Sequence, residues 1–484
     1  MKEKLDKINF KYKITLFTFI LFLIIEALSP ISGDDWRYFV IGKGGLVSSF
    51  ENINILDGRI ISGFLVNFFS YNKLLFDISF AFLISQFVKM CNDLMGSVKT
   101  KYLYLYPLIG VLLVSVFTFS YNYVSLNSTI TYTFPSVIFI MYFYELLRRG
   151  KLTNKTLIKL LFYSIFICLS SIHIGITFLI ANIIYFIIKG NKDKIKYIIL
   201  LIIDLICIIF SLSLLENSLF YTNIESINNI PYLIENIFSN NILLIILGAI
   251  PINLYLYEKL KNNTYVRVII TLFDLILVFS LSYNFFNYSP VNLNLVLRRY
   301  HGIFAIENWY YIFYFIIYVV LFVLSLNYFI KNKRVKEMFN ILMISSIILG
   351  IMLLVSPIFD KGNIILFILS LIMITCVLAV DMNTKVLVKV VKIVSVLLVV
   401  YYLSIFSVIK YIDVTRTSYI KEQLDEKSTN IEVKANPTYL IWRYNPVDYF
   451  QIKDFKEYYE IPDNNTIEVK YFGIFERVEK RIKE

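Results

Sequence analysis

The chain has 484 residues, of which 58% are hydrophobic and only 17% charged, with a mean hydropathy of +0.69. A soluble domain carries about 25% charged residues, and here apolar runs of about 18 residues or more recur from end to end, so a soluble globular protein is excluded and bilayer-crossing helices are expected. The net charge of +12 does not point to nucleic acid, because the lysines cluster in short loops between apolar runs, the pattern of a cytoplasmic membrane face.

Five lysines (Lys2, Lys4, Lys7, Lys11 and Lys13) precede the first expected span, about 14–30, and place the N-terminus in the cytoplasm. No small-residue cleavage site follows, so this run reads as a span and not a signal peptide. Residues 31–73 form a first outer segment, polar at its start and apolar from Ile60 to Phe69, which predicts interfacial or re-entrant helices. Spans follow at about 74–93 and 103–119, and a fourth runs to about 147 after a polar turn at Tyr121–Thr131. The run 157–189 is too long for one helix; Ser170-Ser171-Ile172-His173-Ile174-Gly175 divides it into two antiparallel spans. Seven more spans are expected at about 197–214, 241–257, 265–283, 309–330, 338–355, 363–380 and 390–409, with alternate loops rich in lysine. The expected fold is therefore an all-α polytopic membrane domain of about 13 transmembrane helices over residues 1–409.

Residues 410–484 change character, with acids balancing bases. Arg416–Lys427 reads as a short helix, and Ile431–Lys434, Tyr439–Tyr444 and Thr466–Tyr471 alternate like strands. A small extracytoplasmic α+β module is expected there. No internal repeat stands out. The four cysteines, Cys91, Cys168, Cys207 and Cys376, lie in or beside apolar runs without paired spacing and read as small buried hydrophobes.

Asp34 and Asp35, in Gly33-Asp34-Asp35-Trp36-Arg37, are the first candidates for chemistry. At the rim of a membrane cavity, one could serve as general base toward a hydroxyl, or the two could hold a divalent cation through oxygen ligands. The plain alternative is an Asx turn capping the next helix. Arg37, Arg59, Arg298, Arg299, His301 and Lys361 fall on the side where positive charge is disfavoured, and arginine forks suit phosphate. His173 at the broken turn is a candidate substrate contact, and a helix-end hydrogen bond is its plainer reading. Glu26, Asp77, Glu145, Asp204 and Asp274 lie within spans, Asp77 and Glu145 near expected ends and Asp204 and Asp274 deeper.

With these residues the chain resembles the GT-C superfamily of glycosyltransferases, and within it bacterial proteins near the GtrII-like glucosyltransferases. The likeness rests on Gly33-Asp34-Asp35-Trp36 after the first span, Asp57-Gly58-Arg59 opening an apolar helix, Tyr132 with Pro135, Ser356-Pro357 after a late span, and the small C-terminal module. Relatives often carry an arginine shortly after the Ser-Pro, where this chain has Lys361. The resemblance implies a multi-pass protein of the bacterial plasma membrane that takes a sugar from a polyprenyl-phosphate donor on the outer face. It further implies a surface-glycan acceptor, Asp34 or Asp35 as base, and basic residues on the leaving phosphate. It implies no cofactor; a divalent cation on Asp34 and Asp35 stays a candidate from the acidic pair alone. A lipid-linked-glycan flippase, a transporter and a glycan polymerase are the alternatives.

Overall fold

A computed structural model describes residues 2–33, 35–53, 59–116, 125–149, 152–189, 193–214, 250–259, 264, 268, 271, 330–355, 365–382, 385–434 and 452–470, and these are mostly helical. Helix α1 (Lys2–Leu28) is followed by three helices within the first segment, α2 (Asp35–Gly42), α3 (Gly45–Glu51) and α4 (Ile60–Tyr71). Helix α5 (Lys73–Met95) then runs antiparallel to α1. Lys11 of α1 pairs with Asp93 at one end of the two helices, and Lys73 donates to the Glu26 carbonyl at the other. Then come α6 (Tyr106–Val116), α7 (Phe134–Arg149), α8 (Asn154–Ser170), α9 (Ile172–Lys189), α10 (Lys194–Ser213) and α11 (Ile250–Lys259).

The end of the bundle that holds Lys11 is stitched by cations. Tyr144 of α7 donates to Asp93 at 2.9 Å, and Lys159 of α8 reaches Glu145 of α7 at 2.7 Å. Further round, Lys189 of α9 pairs at 2.6 Å with Glu337 of α12 (Lys333–Val355). Helix α13 (Ile365–Asp381) is the central rod: Ile365, Leu366, Ile368, Leu369, Ile372 and Met373 are all fully buried. A helix apolar all round belongs inside such a bundle. By contrast α10 leaves Ile198, Ile202, Leu205, Ile206, Ile209 and Phe210 exposed, a face that water would not tolerate and lipid would. Six described helical stretches are long and apolar enough to cross a bilayer: Lys73–Met95, Leu126–Arg149, Ile172–Lys189, Lys194–Ser213, Lys333–Met352 and Lys385–Asp425. The chain thus reads as a multi-pass membrane protein. The spans expected at 265–283 and 309–330 lie outside the described residues apart from isolated positions.

The division of 157–189 stands where the sequence placed it. Ser171 is extended (φ −150°, ψ 122°) between α8 and α9, and Gly175 allows the two helices to close: a Cβ there would lie 3.1 Å from the Cys168 Cα. The end of the last span is corrected. The span read at 390–409 and the short helix read at 416–427 are one helix, α14 (Lys385–Asp425). No Gly or Pro interrupts this stretch, so the growing charge after Lys410 marks departure from the apolar layer and not a helix stop. At about 1.5 Å per residue, 41 residues extend about 60 Å, twice a hydrocarbon core of about 30 Å.

The projecting part of α14 carries the module. Strand β1 (Asn430–Lys434) pairs in parallel with β2 (Thr466–Lys470), and the crossover between them includes α15 (Ile452–Tyr459). The expected strand at 439–444 lies outside the described residues. A small repeat went unseen in the sequence: Ile-Glu-Val-Lys occurs in both strands and pairs in register, Ile431 with Ile467 through Lys434 with Lys470. Arg416, fully buried on α14, donates Nε to the Lys434 carbonyl at 2.7 Å. Gln423 donates to the Glu432 carbonyl at 2.9 Å and accepts the Glu432 N–H at 2.7 Å.

Lys470 also bonds the Glu432 carboxylate, which with the Tyr419 hydroxyl holds that carboxyl below its ordinary value; the same bond to Glu432 holds Lys470 above its own. The Glu432 share of stability is present above about pH 4.3 and is lost as pH falls through the lowered folded value. The Lys470 share is present below about pH 10.4 and is lost as pH rises through the raised one. Lys470→Met is expected to move the Glu432 midpoint upward in a carboxyl-carbon NMR titration; a stationary midpoint would remove Lys470 as its cause.

Candidate functional site

The acidic motif meets the rest of the molecule at the end away from the Lys11–Asp93 pair. Gly33 has φ 70°, a left-handed turn that glycine adopts without a Cβ penalty, and its carbonyl accepts the Trp36 N–H at 3.0 Å. That turn starts α2 and directs Asp35 inward, where it is 1% exposed. The Asp35 carboxylate accepts from two consecutive backbone amides, Leu126 N–H on Oδ2 at 2.9 Å and Asn127 N–H on Oδ1 at 3.0 Å. These are among the first amides of the helical stretch Leu126–Arg149 and would otherwise lack partners. A carboxylate there satisfies them and sits at the positive end of the helix dipole.

The beginning of that stretch is itself unusual. Thr129–Thr133 forms a π turn, and all five of its residues are buried. The Phe134 N–H closes it on the Thr129 carbonyl, and Pro135, one residue further on, supplies no N–H to the Thr131 carbonyl that an α-type ladder would pair with it. The π turn presents Tyr132, whose hydroxyl accepts from Arg59 Nη2 at 3.0 Å, with the guanidinium carbon 5.4 Å from the ring centroid. Arg59 is the N-cap of α4. One turn on, Ser62 Oγ donates to the Ser170 carbonyl at 2.6 Å, tying α4 to the α8–α9 break. His173 is buried in the first turn of α9, beside this break. The side-chain oxygens of Ser170 and Ser171 are buried at this break and make no hydrogen bond among the described residues.

Asp35, Arg59, Tyr132 and His173, which the sequence singled out separately, are therefore joined through the segment 125–133 and the α8–α9 break. Arg37 is exposed on α2. Asp34, Arg298, Arg299, His301 and Lys361, together with Asp57, Gly58, Asp274 and Ser356-Pro357, lie outside the described residues. The acids near span ends have ordinary partners: Asp77 pairs with Lys73 at 2.6 Å, and Glu145 with Arg149 at 3.0 Å as well as with Lys159. Glu26 is buried in α1. Asp204 is different. It is fully buried in α10, accepts from Asn182 Nδ2 at 2.8 Å, and its Oδ1 has no hydrogen bond among the described residues.

Ser62, Ser170 and the π turn escaped the sequence reading. Ser170 stood inside the quoted break motif, and Tyr132 with Pro135 flagged the turn without its geometry. Among the described residues no group of three or more His, Cys, Asp or Glu side chains is arranged to hold a metal ion. No family model, curated protein or solved structure matches the chain.

Proposed function

We propose that the chain is a membrane glycosyltransferase with about 13 spans, moving a sugar from a polyprenyl-phosphate donor to a cell-surface glycan acceptor. The supporting observation is the joint anchoring of Asp35 and Arg59 on the segment 125–133, which sets a carboxylate motif and a phosphate-compatible fork at one end of the bundle. The lysine-rich opposite end supports a cytoplasmic assignment for that end under the positive-inside tendency, and with it an outer face for this site. In the reaction the acceptor oxygen attacks the anomeric carbon and its proton passes to a carboxylate. The bond from that carbon to the phosphate oxygen breaks, and the electron pair leaves on the phosphate. Asp35, committed to two amides, suits holding; Asp34 then suits the base. Arg59, with Arg298 and Arg299, would stabilise the charge developing on phosphate. Transfer of labelled sugar from a synthetic polyprenyl-phosphate donor by purified protein tests this directly. Absence of any covalent product with intact protein, across a panel of donors and acceptors, would end it.

Asp204 favours a second reading, a flippase or transporter. An ionisable carboxyl inside a span belongs by default to an ion or substrate path, and its partner Asn182 reaches it from a neighbouring helix. Under this reading Asp204→Asn abolishes movement of lipid-linked glycan across proteoliposomes. Under the transferase reading the same variant keeps sugar transfer within about threefold of wild type, since Asp204 touches no reacting atom.

A further inference from the structure

Helix α2 has two neighbours of different origin. On one side it packs on α4, close enough that a Cβ on Gly42 would come within 2.2 Å of the Asn67 carbonyl oxygen. On the other lies the C-terminal module. Trp36 is fully enclosed, in one cluster with Ile31, Ile420, Ile431, Val433, Phe455 and Ile461. Its ring meets Phe455 of α15 edge-on at 4.9 Å, and its indole N–H donates to the Ile31 carbonyl at 3.1 Å. One turn later Phe39 meets Tyr458 of α15, also edge-on at 4.9 Å, and Lys43 pairs with Glu460 at 3.0 Å. Successive turns of α2 are thus held by one helix of the module.

We propose that the C-terminal module is a clamp for the acidic motif: α15 fixes α2 through Trp36 and Phe39, and α2 thereby holds Asp35 against the Leu126 and Asn127 amides. The clamp has a rigid base, because Arg416 and Gln423 bond the module's strand to α14, which continues into the bundle. Its jaws are aromatic, and large rings packed edge-on give both area and orientation. Trp36 and Phe455 are positioning residues. Their effect on catalysis rests on the transferase reading, whereas the mechanical link does not.

The test is amide hydrogen exchange on the full-length protein in nanodiscs, comparing wild type with Phe455→Ala and with the milder Phe455→Leu. Exchange at Leu126 and Asn127 is expected to rise about tenfold or more in Phe455→Ala and less in Phe455→Leu, with amides of 139–146 in α7 unchanged. No change at Leu126 and Asn127 while Ile431–Val433 exchange faster would overturn the clamp, and so would equal acceleration throughout α7. Where sugar transfer is measurable, kcat falls in Phe455→Ala and the donor KM stays the same. A linked exchange response in a protein that transfers no sugar would keep the clamp and discard the transferase.

Discussion

Asp34→Asn is expected to lower sugar transfer by about 10²–10⁴-fold, the usual worth of a general base, in a protein that accumulates and unfolds as wild type does. The asymmetry within the motif follows from the amides. Asp35 spends both oxygens on Leu126 and Asn127, so its carboxylate is already engaged in the fold. Asp35→Asn replaces one acceptor oxygen by an NH₂ facing a backbone N–H. Two donors then meet in a buried place, at a cost of about 1–3 kcal/mol. The two variants should therefore differ in kind. Asp34→Asn loses transfer without loss of thermal stability, whereas Asp35→Asn loses both, because the start of the Leu126–Arg149 stretch loosens and carries Tyr132 with it. Transfer assays and thermal unfolding on the same preparations separate them. Wild-type transfer in both single variants and in the double variant would remove the acidic motif from the chemistry.

Asp35 also shows how far the sequence could be read. Its place after the first span was legible, and so was the plain alternative of a cap. A cap is local in sequence, however, and the amides that Asp35 satisfies are 91 and 92 residues away. Nothing at 125–127 announces a missing acceptor. The six long apolar helices were legible because burial in lipid requires long apolar runs, and the α8–α9 break because Ser170-Ser171 and Gly175 interrupt one. The strands at 430–434 and 466–470 followed from alternation. Their parallel pairing did not, since it depends on what the crossover does. The end of α14 was misread for a physical reason: a change of solvent looks like a change of structure when charge density is the signal, but a helix stops at its own stop residues. The joining of Arg59 to Tyr132 depends on a π turn, and nothing in the run Thr129–Thr133 sets it apart from a regular helix start.

Trp36→Ala is expected to cost the module about 3–5 kcal/mol, the range for deleting a large buried aromatic. Trp36 is the element of the first segment most deeply shared with the C-terminal cluster, so its loss opens a cavity against Phe455, Ile420 and Ile431 at once. Trp36→Phe separates packing from hydrogen bonding. It keeps an aromatic ring and gives up the donation to Ile31, for about 1 kcal/mol. Opening free energies from amide exchange at Ile431–Val433 give both numbers. A double-mutant cycle with Phe455→Ala then isolates the ring pair, with a coupling of about 0.5–1.5 kcal/mol. A coupling of zero would mean that the two rings share a cluster without supporting each other, and the grip of α15 on α2 would then rest on Phe39 with Tyr458 and on Lys43 with Glu460. A loss in Trp36→Ala no larger than in Trp36→Phe would mean that the indole serves the Gly33 turn and that the module stands without it.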